Sequence, residues 1–95
     1  MSIRAVEWAL TRKEVTNSID AFVLVTLAFH SNSIGQTTMP NPMIGKKARC
    51  SERRAKYAIA ALEELGLISR TISQEGGKVR RTIILEMNRH WEAPQ

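Results

Sequence analysis

The twenty-one residues CSERRAKYAIAALEELGLISR, positions 50–70, limit the fold more than any other stretch of this chain. Ser51 is a good N-cap because its hydroxyl can accept from a free amide of the first turn. At 100° per residue, Ala55, Ala58, Ile59, Leu62 and Leu65 fall on one face of the helix that follows. Arg53, Lys56, Tyr57, Ala60 and Glu64 fall on the opposite face. Gly66 supplies a left-handed stop. The first turns carry Arg53, Arg54 and Lys56, where the helix macrodipole favours carboxylates instead. Charge placed against that preference is expected to face something outside the chain.

The rest of the charge is distributed to the same effect. The net charge of the 95 residues is +5. Residues 1–44 sum to zero and residues 82–95 to −1, whereas residues 45–81 hold ten Lys or Arg against four Glu. Concentrated positive charge is the footprint of a polyanion binder. There is no apolar run long enough for a membrane span. MSIRAVEWALTRKE has no basic region followed by an apolar core, so no signal peptide is expected. The single Cys50 cannot close an internal disulfide, and a cytoplasmic location is the expectation.

Along the chain, IRAVEWAL alternates through Val6, Trp8 and Leu10 and predicts a short strand or arm within residues 1–14. Ser18 to His30 is apolar nearly all round and predicts the most buried helix, capped by Ser18 or Thr16. SNSIGQTT reads as a polar loop. MPNPMIGKKAR predicts a second, short helix capped by Asn41, with Pro42 at its first position and Met43 and Ile44 as its buried contacts. After Gly66, LISRTISQ and VRRTIILEM predict two strands joined at Gly76-Gly77. The expectation is a mainly α chain with a β-hairpin wing, an α+β fold of three helices plus hairpin over residues 1–91, followed by a loose tail at 92–95.

A short helix, a tight turn, a helix with a basic outer face and a basic hairpin together make a winged helix-turn-helix. Residues 50–70 also resemble the recognition helix and first wing strand of bacterial and phage winged helix-turn-helix proteins, through Ser51, Ala58, Ile59, Leu62, Leu65, Gly66, Leu67 and Ile68. Pro40 and Ile44-Gly45 resemble the preceding helix of that family. AFVLVTLAFHSNSIG is similar to the first helix and loop of its phage replication-protein subgroup. The resemblance spans roughly residues 15–85. It implies double-stranded DNA binding, in transcriptional regulation or in replication-origin recognition by a phage, plasmid or bacterial element. It puts Ser51 on phosphate and Arg53, Arg54, Lys56 and Tyr57 toward bases or backbone. Two positions depart from the pattern: Arg49 stands where the turn often has Gly, and Gly45 where Ala usually packs.

Other residues are weighed against plainer roles. Lys46, Lys47 and Arg49 precede the reading helix, where backbone-positioning contacts arise. Lys78 and Arg80 are assigned to the wing's DNA contacts. Arg81 is read with them as carrying the wing, or, because it falls on the apolar side of its strand, as a structural edge residue. Arg54 suits a phosphate contact or an ion pair. Tyr57 suits a thymine methyl, a phosphate or packing on the hairpin. Glu52 is read as a dipole partner at its helix start. Cys50 reads as a small core residue. His30 and His90 lack metal-ligand spacing, so no metal or cofactor is expected. No nucleophile–base pair or phosphate loop argues for an enzyme. Trp8 and Trp91 suit packing together or a dimer contact, with core packing the preferred reading. The partners expected are duplex DNA and no membrane; a homodimer or a protein partner stays open, and the alternative function is a protein-interaction module without DNA readout.

Overall fold

The computed structural model describes residues 3–87. Among the described residues, helices come in chain order as α1 (Ile3–Leu10), α2 (Ser18–Phe29), α3 (Asn41–Ala48) and α4 (Glu52–Glu64). Three strands, β1 (Gln36–Thr37), β2 (Ile68–Glu75) and β3 (Lys78–Leu85), form one antiparallel sheet in the order β1-β3-β2. The fold is α+β with one more helix and one more strand than the sequence predicts. No helix among the described residues is long and apolar enough to cross a membrane. The expected tail at 92–95, His90 and Trp91 lie outside the described residues.

The extra helix corrects the reading of residues 1–14 as a strand or arm. Ala5, Trp8 and Ala9 recur at i, i+3 and i+4, and all three are buried. The alternation of Val6, Trp8 and Leu10 misleads because Leu10 is exposed. Arg12 closes this helix: its Nε donates to the Trp8 carbonyl at 3.1 Å, and its guanidinium lies 5.6 Å from the centre of the Trp8 ring.

Helix α2 begins one residue beyond its true cap. Asn17 plays that part, its Oδ1 accepting from the amides of Ile19 (2.9 Å) and Asp20 (3.1 Å), so neither Ser18 nor Thr16 is the cap. Val23, Leu24, Leu27 and Ala28 are buried, and α2 packs against α1, α3 and α4. Its other side stays open, with Phe22 and Phe29 each 48% exposed, although α2 buries more residues than any other helix described, as expected. Residues 36–37, expected in a loop, instead pair with β3 as Gln36↔Ile84 and Thr37↔Ile83.

In α3 the cap is Pro40 without a side-chain bond, so Asn41 is already helical. Ile44 is buried and Met43 exposed, which halves the predicted contact pair. Helix α4 carries the main amphipathic face, burying Ala55, Ala58, Ile59 and Leu62. Leu65 is not part of that seam: it is the C-cap residue and 43% exposed. The helix ends in a Schellman turn, Leu67 N–H to Leu62 C=O at 3.1 Å and Gly66 N–H to Glu63 C=O at 3.0 Å. The chain then enters β2. Gly76 and Gly77, both at positive φ, make the two-residue reversal into β3.

The core joins every layer through Trp8, Leu24, Leu27, Ile44, Ile59, Leu62, Leu67 and the inner ends of the hairpin, Ile68, Ile83 and Leu85. Burying each large apolar side chain stabilises by roughly 1.5–3 kcal/mol before chain entropy is counted. Beyond Ile68 and Ile83 the hairpin leaves the body, and Arg70 to Gln74 and Gly76 to Arg81 are exposed.

Candidate nucleic-acid interface

The junction between α3 and α4 is closely packed. A Cβ on Gly45 would lie 3.0 Å from the Cys50 carbonyl oxygen and 3.1 Å from the Glu52 nitrogen. These are backbone atoms, so the turn cannot yield cheaply. Glycine therefore sets how near α3 approaches the start of α4. Gly45→Ala is expected to lower stability by about 1 kcal/mol, because a clash of about 2 kcal/mol outweighs alanine's helix preference of about 1 kcal/mol. A lower thermal midpoint checks this; a higher one would show that the turn gives way.

Between the two helices, Arg49 holds φ 61° and ψ 43°, a left-handed conformation. Its amide donates to the Lys46 carbonyl at 3.4 Å and the Cys50 amide to the Gly45 carbonyl at 2.9 Å. The turn thus takes the shape usual for glycine with an arginine in it, at a cost of roughly 1–2 kcal/mol. Cys50 is half-buried and packs on the core, as its reading as a small core residue expected.

Ser51 caps α4, its Oγ accepting from the Arg54 amide at 3.0 Å. The hydroxyl proton remains available to an outside acceptor. Arg53, Lys56, Tyr57, Ala60 and Glu64 are exposed, as the helical spacing predicts. Tyr57 is 57% exposed, which turns it outward. Arg53 donates its Nε to the Tyr57 hydroxyl at 3.2 Å, with its guanidinium 5.6 Å from the ring centre. That pairing stiffens a long side chain one helical turn from its neighbour.

Arg54 has a different role from its neighbours. Its NH2 lies 2.7 Å from Asp20 Oδ1 and donates to Asn17 Oδ1 at 2.9 Å. The charge is neutralised inside the chain, and the side chain clasps the start of α4 to the start of α2. Of its two sequence readings, the ion pair is the one observed. Asn17 serves as a hub, capping α2 and receiving Arg54 with the same oxygen.

The hairpin has two faces. The pairs Arg70↔Ile83, Ile72↔Arg81 and Gln74↔Val79 share one face with the buried Ile68↔Leu85 pair. Arg80 and Lys78 lie on the other, opposite Ser73 and Glu75. Arg80 lines an open cleft of about 630 Å³ with His30, Asn32, Gln36, Thr38 and Thr82. The two predicted wing cations therefore point away from the α4 side. Arg81, read from the sequence as a wing residue or a structural edge residue, lies on the α4 side together with the exposed Ile72 and Val79. The signal was its phase with Ile83 and Leu85, which reads as structural only where the strand is covered.

Arg70 fastens the hairpin to α4. Its Nε donates to Glu63 Oε2 at 3.0 Å and its NH2 to Oε1 at 2.7 Å, a bidentate pair. Hydrogen bonding by Arg70 holds the Glu63 carboxyl below its ordinary value of 4.5, and Glu63 raises the guanidinium in turn. A depressed carboxyl pKa stabilises the fold above the unfolded value and ceases to do so as pH falls through the folded one. Both groups are solvent-accessible, so the effect is small. Glu63→Gln should lower the melting temperature slightly at pH 7, and the gap from the unmodified chain should close below pH 4.5. Paired melts across that range check it.

Lys46, Lys47, Arg49, Lys56, Lys78, Arg80 and Arg81 are exposed, and none has a side-chain hydrogen bond or ion pair among the described residues. With Arg53 they cover the turn, the outer face of α4 and both faces of the hairpin. Comparison with protein-family models, with curated proteins and with solved structures finds no significant match to this chain.

Proposed function

We propose that this chain is a winged helix-turn-helix protein that binds double-stranded DNA, with α4 in the major groove and the hairpin along the backbone or in the minor groove. The order α2-β1-α3-α4-β2-β3 and the sheet order β1-β3-β2 support the fold assignment. The observation that carries the function is the set of exposed cations on the turn, α4 and the hairpin that have no partner among the described residues. An α-helix fits the major groove, and residues near its N-terminus reach base edges. Arg53, braced by Tyr57, keeps its terminal nitrogens for a guanine edge or a phosphate. Lys46, Lys47, Arg49 and Lys56 surround it with phosphate contacts, and Ser51 can donate to one more. Arg54 is a brace in this account and does not touch DNA.

The role is transcriptional control or recognition of a replication origin of a phage, plasmid or bacterial element. Selection from random duplex DNA tests sequence readout, with structured RNA and an acidic polypeptide as competitors. An enriched motif that outcompetes both supports the reading. Preference for RNA, or for the acidic polypeptide without DNA binding, overturns it and favours a different winged-helix use.

A further inference from the structure

We infer that Arg49 is a dedicated phosphate contact, held ready at the turn by a backbone conformation that its own side chain disfavours. The inference rests on the DNA-binding reading above and assigns one residue a role within it. Arg49 is the only non-glycine residue at positive φ among the described residues. A β-carbon makes this conformation costly for an arginine, whereas glycine adopts it freely. The arginine cannot escape it. Cys50 N–H is tied to Gly45 C=O at 2.9 Å, and the turn packs so near Gly45 that a β-carbon there would lie 3.0 Å from the Cys50 carbonyl oxygen. The surrounding turn thus imposes the conformation whatever the side chain.

The side chain gives the fold nothing in return. It is exposed, and it has no hydrogen bond or ion pair among the described residues. A strained residue whose side chain is idle among the described residues points to a use outside the molecule. The position suits that use, two residues before the Ser51 cap and next to the positive end of α4. A backbone phosphate at the helix start would meet the cap hydroxyl, the helix amides and the Arg49 fork together.

The test combines thermal melts with salt-dependent binding to duplex DNA for the full chain and three variants. Arg49→Gly should raise the melting temperature by roughly 4 °C or more. It should weaken DNA binding about 5–10-fold at moderate salt and reduce the log–log salt slope by about one. Arg49→Asn, which tolerates the left-handed region without charge, should lose the same slope. Arg49→Lys should keep it. If Arg49→Gly melts lower than the unmodified chain, the strain is not there and the inference fails. If the unmodified chain binds and Arg49→Gly binds equally with an unchanged slope, this assignment alone fails. If the unmodified chain does not bind duplex DNA, the DNA-binding reading fails and carries this one with it.

Discussion

Replacing Arg53 and Lys56 together by glutamate is expected to abolish detectable binding to duplex DNA and to leave the chain folded. Both residues sit on the outer face of α4, and neither is paired to another charge among the described residues. Two reversals of two units each take the net charge from +5 to +1. Each lost phosphate neutralisation removes about 0.9 from the salt slope, so the double variant should lose about 2 units of slope and at least roughly 100-fold in affinity. The fold is barely touched. A glutamate at position 53 suits the positive end of the helix. One at position 56 faces Glu52 one turn back, a repulsion of only a few tenths of a kcal/mol. Filter binding or fluorescence anisotropy beside a thermal melt reads both halves. An unchanged melt with unchanged binding would place the DNA face elsewhere.

The largest stability effect is expected from Trp8→Ala. Trp8 is fully buried at the centre of the contact between α1 and the rest of the core. Truncating it removes about 3–5 kcal/mol, a large part of what a domain of this size possesses. The melting temperature should fall by about 12 °C or more, and at 37 °C much of the variant should be unfolded. Trp8→Phe separates packing from polarity. The indole Nε1 has no hydrogen-bond partner among the described residues, and the Arg12 Nε bond goes to the Trp8 backbone carbonyl. Phenylalanine therefore gives up volume and the better cation–π face but no hydrogen bond, and should cost about 1–2 kcal/mol. A silent Trp8→Ala would mean that residues 3–10 are the loose arm the alternation suggested.

That contrast shows where sequence reasoning holds. Helix α4 was legible because thirteen residues give a 3.6-residue period room to declare itself, and Ser51 and Gly66 mark its ends. The hairpin was legible from Gly76-Gly77 between two alternating runs. Eight residues of α1 are too few to separate the two periods. Trp8 belongs to both patterns, and the small Ala5 and Ala9 signal burial less loudly than Leu10. Strand β1 has two residues and owes its pairing to β3, far along the chain. At the start of α2, Thr16, Asn17 and Ser18 can all cap, and only the geometry selects Asn17.

The candidate site follows the same division. Exposure of Arg53, Lys56 and Tyr57 follows from helical phase alone. The fate of Arg54 does not, since Asn17 and Asp20 reach it across a tertiary contact. The two sides of the hairpin were legible, but not which of them faces α4. Alternation correctly grouped Arg81 with Ile83 and Leu85, but it could not show that the strand leaves the body before Arg81 is covered.

The most direct test of the central claim is the affinity of the full chain for a random-sequence duplex, measured across salt concentrations. With seven exposed cations lacking partners among the described residues, plus Arg53, engagement of most of the surface predicts a log–log slope of about −5 to −7. A slope in that range means that the turn, α4 and the hairpin meet the phosphate backbone together. A slope near zero, or no binding at low salt, would contradict a DNA-binding role for this surface.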